Sequence, residues 1–291
     1  MSFSDEDAGG FMMETLPEDV CLISSSESGW AELRKCRLNG KFVVLKSLKA
    51  EFRGNPMYEN LLRKEFSLSY DLDHQSICRA YDFRRMPSLG NCIVMQWVDG
   101  DSLRDALPLH DRELSEKIAM ELCDALEYMH SRQIVHRDLK PENVIITHNG
   151  HNVKLIDFGL SDSDDYAVLK APAGTRLYAS PEVLAGKSAD CRSDIWSLGM
   201  ILSELDGMPR RVVRRCLRKN PEKRYQSVAE VRKALTAARH SFRRVFRLSM
   251  AAAVLLSACA LLSNYIHDRT FPEREFRKVT DSILDTSGIN D

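Results

Sequence analysis

The sequence predicts an α+β chain of two lobes, a small β-rich one followed by a larger helical one, with a single apolar helix beyond them. Three observations point there. Residues 20–48 hold short β-branched runs divided by a hairpin signal. From about residue 113 apolar residues recur mainly at the helical period. Residues 248–266 carry no charge at all.

Taken in order, residues 1–17 are acidic, with paired glycines, and read as a mobile tail. They lack an apolar run, so no cleavable signal peptide is expected. Strands are expected at Val20–Ile23, Trp30–Leu38 and Phe42–Lys46, and Asn39-Gly40 between the last two is a tight-hairpin signal. Residues 56–72 read as a helix, with Leu61, Leu62, Phe66, Leu68 and Leu72 on its apolar face. Cys92–Met95 is a further strand, and the junction of the lobes falls near Gln96–Gly100. Residues 113–132 are a helix, since Ile118, Leu122, Ala125, Leu126 and Met129 follow its period. Everything from 193 onward reads helical.

The apolar stretch 248–266 is 19 residues long. At ~1.5 Å rise per residue it spans ~28 Å, close to a hydrocarbon core of ~30 Å. Arg239, Arg243, Arg244 and Arg247 precede it, and Tyr265 sits near its far end. The expected organisation is therefore a tail at 1–17, a folded domain at 18–237, a basic juxtamembrane segment at 238–247, a membrane span at 248–266 and a short distal tail at 267–291. Within the domain the lobes are expected at 18–95 and 100–237.

Composition narrows the class. With 44% hydrophobic and 29% charged residues the chain is neither disordered nor a multi-span membrane protein. A net charge of −1 gives no global attraction to nucleic acid, so no nucleic-acid partner is expected. The eight cysteines form no C-x-x-C pair and no metal-ligand spacing, which suggests reduced, mostly buried thiols.

Residues 136–159 carry the chemistry. They read H-R-D-L-K-P-E-N, a short hairpin, then D-F-G. Phosphoryl transfer from a nucleotide needs this set. Asp138 would accept the proton of the acceptor hydroxyl, and Lys140 would neutralise the moving phosphate. Asn143 and Asp157 would hold Mg²⁺ against the phosphate oxygens. The run resembles the eukaryotic-type, or Hanks-type, Ser/Thr protein kinases, including the single-span membrane-anchored bacterial ones. Lysine at position 140 is the form similar to Ser/Thr rather than Tyr kinases. The resemblance covers about residues 18–237 and implies the two-lobed protein-kinase fold, with ATP and Mg²⁺ as cofactors.

Further residues then take expected roles. Lys46 ends a strand similar to V-A-I-K and would pair with the α- and β-phosphates, braced by Glu65; Lys49 and Glu59 are rivals for these roles. Met95 would guard the back of the adenine pocket, and backbone groups of Gln96 and Val98 would bond the adenine edge. Glu182 would pair with Arg224, and Asp194 would brace the H-R-D backbone. Thr175, in the segment similar to G-T-x-x-Y-x-A-P-E, would face Asp138 and Lys140. Arg137 could pair with a phosphate placed on Ser161, Ser163 or Tyr166, so autophosphorylation is expected.

The chain departs from the family in two places. In the phosphate-covering loop, G-x-G-x-x-G is replaced by Ser24, Ser26 and Gly29. After Leu205 only Asp206–Pro209 precede the next helical region, so the helix called αG in the family is missing from the helical lobe. The expected function is ATP- and Mg-dependent transfer to Ser or Thr of a protein substrate by a membrane-anchored enzyme with its kinase domain in the cytoplasm. Alternatives are a pseudokinase-like interaction module, or a kinase of a small molecule or lipid headgroup. Small residues at Ser249, Ala253 and Ser257 leave room for a homodimer through the span.

Overall fold

The computed structural model describes residues 16–25, 29–157, 177–270, 277–279 and 282–283. The chain divides into two units, Met1–Leu235 and Thr236–Asp291.

The first unit opens with an antiparallel sheet in the order β1-β2-β3-β5-β4. Its strands are β1 Glu18–Ser25, β2 Ala31–Leu38, β3 Lys41–Leu48, β4 Ala80–Met86 and β5 Gly90–Gln96. β2 and β3 are joined through Asn39 and Gly40 at φ 52° and 74°, with Leu38 opposite Lys41. Positive φ at both positions is the tight turn whose twist matches that of the strands. Alternation along β3 then sorts its side chains. Val43 and Leu45 enter one apolar cluster with Cys36, Met86, Cys92 and Val94. Val44, Lys46 and Leu48 share the opposite face, where Leu48 packs against Leu62 of the first helix, α1 Pro56–Tyr70. Asn55 caps α1 by accepting from the Met57 amide at 3.0 Å, and Pro56 sits where its missing N–H costs nothing. The buried stripe of α1 is Leu62, Glu65 and Ser69. A carboxylate on that stripe therefore points at the β3 face that carries Lys46.

β4 was not expected from the sequence. Its residues, Ala-Tyr-Asp-Phe-Arg-Arg-Met, show no period-2 apolar face, and only its two ends are buried.

The helical lobe follows. It contains β6 Gly100–Ser102, α2 Leu103–Ala106, α3 Arg112–Ser131, a 3₁₀ turn at Pro141–Asn143, and the hairpin of β7 Val144–Thr147 with β8 Val153–Leu155. Next come α4 Pro181–Leu184, α5 Cys191–Glu204, α6 Arg210–Cys216 and α7 Val228–Thr270. Asp111 caps α3 by accepting from the Glu113 and Leu114 amides. One core joins Ile118, Leu122, Leu126 and Met129 of α3 with Ile195, Leu198 and Leu202 of α5. The helical reading after 193 holds with interruptions: helix stops between α5 and α6, at the break expected over Asp206–Pro209, where Gly207 has φ 70° and Pro209 follows, and again around Asn220-Pro221, where no break was expected. Only Leu205–Pro209 separate α5 from α6, and no helix lies between them.

α6 can follow so closely because α5 offers Gly199 to it. A Cβ at Gly199 would fall 2.5 Å from the Cys216 Cβ. Gly199→Ala should therefore lower the unfolding midpoint of the full-length protein, by ~1–3 kcal/mol of overpacking less the better helix propensity of alanine. An unchanged thermal midpoint would show that α5 and α6 do not pack this tightly.

The second unit holds the outer part of α7. Within it Ser249–His267 is 19 residues long, exposed throughout and apolar enough to cross a membrane by length and composition. All eight cysteines are free, with Cys36, Cys78, Cys92, Cys123 and Cys216 buried.

Candidate active site

The site is built where the two lobes of the first unit meet. Lys46, placed on the α1 face of the sheet by strand alternation, donates to Glu65 Oε1 at 2.5 Å and to Asp157 Oδ1 at 2.7 Å. Of the rivals, Glu59 accepts from Asn91 Nδ2 at 2.7 Å instead, and Lys49 lies just beyond the end of β3. Burial works against the Lys46 charge, but the carboxylates of Asp157 and Glu65 outweigh it and hold the ammonium charged above its usual range. Burial pushes the Glu65 carboxyl up to about 7 against the pull of Lys46. Glu65 is almost wholly buried, whereas the Asp157 side chain is 45% exposed and open to a ligand.

The residues of the H-R-D loop come next. Asp138 Oδ2 accepts from Lys140 Nζ at 2.7 Å and from Asn143 Nδ2 at 3.1 Å. Asn143 also donates to the Asp138 carbonyl at 2.8 Å, which ties the 3₁₀ turn to the loop before it. Burial pushes the Asp138 carboxyl up, with Lys140 partly offsetting it. The loop itself is held from outside. Asp194 of α5, fully buried, accepts from the His136 amide at 2.8 Å, the Arg137 amide at 2.9 Å and His130 Nε2 at 2.8 Å. Arg137 has φ 64° and Asp157 φ 65°, a backbone region disfavoured for side chains with a Cβ. At Arg137, the Asp194 carboxylate takes the two successive amides of His136 and Arg137 and gives the turn a compensating pair of charge-assisted hydrogen bonds.

Met95 is buried with Val44 and Cys78, and Leu33, Val98 and Ile156 pack on them. The Gln96 amide donates to the Arg79 carbonyl at 2.9 Å, while its carbonyl takes the weak Cys78 thiol at 3.4 Å. What Gln96 keeps for a ligand is thus acceptor capacity. A cavity of about 370 Å³ also touches Gln96 and Val98, but it is completed by Glu121, Asn149 and Lys154 and contains none of the phosphoryl-transfer groups. Ser24 is exposed on β1 opposite Leu33, and Gly29 lies just beyond that strand. Ser26 falls outside the described residues, as do Ser161, Ser163, Tyr166 and Thr175.

One cluster was missed from the sequence. Arg104 of α2 donates to Glu142 at 2.9 Å, beside Asn143, and to Glu204 of α5 at 3.1 Å, and it also bonds the Tyr178 hydroxyl. Tyr178 in turn donates to Glu204. No local pattern announces this group, because its members lie tens of residues apart. Glu182 and Arg224, expected to pair, form a bidentate bridge with both contacts at 2.6 Å.

Comparison with known proteins agrees with this geometry. A family model described as protein kinase domain matches residues 27–259. The chain is 33% identical over 235 residues to the serine/threonine-protein kinase PknB of Mycobacterium leprae, covering 65% of this chain and 38% of that one. It is 36% identical over 178 residues to a probable serine/threonine-protein kinase of Streptomyces coelicolor, covering 57% and 26%. A probable serine/threonine-protein kinase of Clostridium perfringens is 34% identical over 180 residues, covering 59% and 26%. The chain thus spans roughly a quarter to two fifths of the length of these relatives. Since the family match takes in both lobes and every charged group of the site, the chain belongs to the protein kinase domain family.

Proposed function

We propose that this chain transfers the γ-phosphoryl group of ATP to serine and threonine hydroxyls of proteins. The observation that carries it is the convergence of buried Lys46 and Glu65 with half-exposed Asp157 in one ion cluster, and of Asp138, Lys140 and Asn143 in a second. Asp157 and Asn143 fit a Mg²⁺ ion: they offer a half-exposed carboxylate and an amide oxygen, and such sites are completed by substrate phosphates. When bound there, the ion would neutralise charge developing on the phosphate oxygens. Lys46, kept charged by two carboxylates, would orient the nucleotide phosphates. Asp138, raised by burial, would take the acceptor hydroxyl proton, and Lys140 beside it would balance the incoming charge. Leu33, Val44, Met95 and Val98 would wall the adenine, with the Gln96 carbonyl as acceptor for its amino group. Purified full-length protein with Mg·ATP and a mixture of candidate protein acceptors should yield phosphoserine or phosphothreonine by mass spectrometry, including on its own 161–175 segment. Phosphate appearing only on lipid or metabolite hydroxyls would favour the small-molecule reading, and none at all the non-catalytic one.

In this reading nucleotide affinity is set in part by Ser24 and Ser26, which take the first two glycine places of the family's G-x-G-x-x-G pattern. Such a loop binds phosphate through backbone N–H groups, and a side chain there limits close approach. Ser24→Gly with Ser26→Gly should tighten ATP binding or raise turnover several-fold by isothermal titration and initial rates. Looser binding would mean that the serines themselves hold the phosphates.

The membrane reading belongs to the same proposal. Ser249–His267 would anchor the protein as a single span, and ATP chemistry puts the kinase domain on the cytoplasmic side. Carbonate-washed membranes should retain the full-length protein, and its release into the soluble fraction would remove the anchor. Two such helices could approach along Ser249, Ala253 and Ser257. Ser257 donates to the Ala253 carbonyl of its own helix at 2.9 Å, so this contact would rest on packing rather than on a hydrogen bond between helices.

A further inference from the structure

The net charge of −1 hides a strong asymmetry. Residues 210–247 contain 14 lysines and arginines and two acidic residues, while the rest of the chain contains 27 and 40. Some of this positive charge is used inside the fold. Arg224 is buried on Glu182, and Arg232 reaches Asp124 and Glu127, each at 3.1 Å. Arg215 lies over the Tyr225 ring and 3.8 Å from Glu230. One group of five has no such use among the described residues. Arg210, Arg211, Arg214, Arg218 and Lys219 are all exposed, and none is in an ion pair among the described residues. They form the outer face of α6 and the turn after it, while Val212 and Cys216 are buried on the inner face. Like charges at i,i+4 on this helix repel one another in water. An anionic partner turns that repulsion into attraction.

The kind of partner follows from what surrounds the patch. Guanidinium groups match phosphate geometry well. Nucleic acid usually adds stacking on exposed aromatic rings, and the aromatic nearest in sequence, Tyr225, is buried. In sequence the basic run ends at Arg247, directly before the apolar stretch Ser249–His267. Basic clusters beside a span are attracted by the anionic lipids of the leaflet. A chain anchored by that stretch would meet such headgroups at high local concentration.

We propose that the outer face of α6, with Arg210, Arg211, Arg214, Arg218 and Lys219, binds the anionic headgroups of a phospholipid bilayer and so holds the helical lobe against the membrane surface. The choice of a bilayer over other polyanions rests on the anchoring proposed above. The position of α6 suits this role: it packs on α5, whose Asp194 and Glu204 hold the catalytic loop and Arg104. Docking there leaves the Lys46–Asp157 cluster untouched.

The test uses full-length protein reconstituted with vesicles of phosphatidylcholine alone or of phosphatidylcholine with phosphatidylglycerol. Amide hydrogen exchange over residues 208–220 is compared between them, and flotation reports association. Exchange should slow about fivefold or more on the phosphatidylglycerol vesicles, the factor for a single cation near an anionic surface. High salt should abolish the effect by screening. So should the combined variant Arg210→Gln, Arg211→Gln, Arg214→Gln, Arg218→Gln, Lys219→Gln, whose thermal midpoint should match the wild type. The salt titration alone answers the question if that variant misfolds. Equal exchange on both vesicles, in protein that floats with both, overturns the proposal and leaves the anchor standing. Flotation only with phosphatidylglycerol, lost in salt and in the variant, removes the anchor and keeps the α6 surface. Protection by polyglutamate or an oligonucleotide, with none from phosphatidylglycerol, also overturns it and assigns the face to an acidic protein or a nucleic acid.

Discussion

Replacing Asp138 by Asn should slow phosphoryl transfer ~10²–10⁴-fold, the usual loss for a general base. The side chain keeps its shape, so the turn held by Asp194 and the Asn143 contact to the Asp138 carbonyl should survive. What disappears is the proton acceptor and the charge that positions Lys140. The change should therefore appear in kcat, with ATP binding nearly unaltered. Asp157→Asn removes a different function. It takes away one of the two carboxylates on Lys46 and the proposed ion ligand, so both Mg·ATP affinity and kcat should fall. Initial rates and nucleotide titrations on the full-length protein separate the two patterns. Unchanged turnover in both variants would remove the phosphotransferase reading.

Arg224→Ala should cost ~3–5 kcal/mol of stability, the range for breaking one side of a buried ion pair. Arg224 is fully buried and its guanidinium is saturated. It holds both Glu182 oxygens and also donates to the carbonyls of Arg192, Arg218 and Lys219. Truncation strands all of these acceptors. Burial alone would push the Glu182 carboxyl up, but its hydrogen bonds, that of Arg224 first among them, outweigh it and bring it from an ordinary 4.5 down to about 2. A depressed carboxylate stabilises the fold above its unfolded pKa and loses that contribution as pH falls through its folded one. The gap between wild type and variant in urea midpoint should thus be full above pH 4.5 and shrink toward pH 2. A gap that stays constant over that window would show that the carbonyl contacts, rather than the ion pair, carry the stability.

Much of the fold was legible because it depends on neighbours in sequence. The Asn39-Gly40 turn, the alternation of β3 and the period of α3 are each decided within a few residues, and the structure places these elements close to where the sequence puts them. β4 was not legible, since its central residues are only half covered and mix charge with aromatics. The helix break at Asp206–Pro209 was legible in its turn residues, whereas the one at Asn220-Pro221 was obscured by the helical period on either side. In the site, Asp138, Lys140 and Asn143 were readable because they act on one another across five residues or fewer.

By itself the sequence determined the local chemistry: a carboxylate, a lysine and an amide on one short loop, a helix over 56–72 that carries Glu65, and an uncharged apolar stretch beyond the folded domain. Only the tertiary structure decided which distant groups share a charge. Lys46 meets Asp157 across 111 positions, and Arg104 meets Glu204 across 100. The reason is physical. Turns, caps and alternation follow from steric and hydrogen-bonding limits of neighbouring residues, whereas a buried ion pair exists only once apolar packing has brought two elements together and removed the water between them.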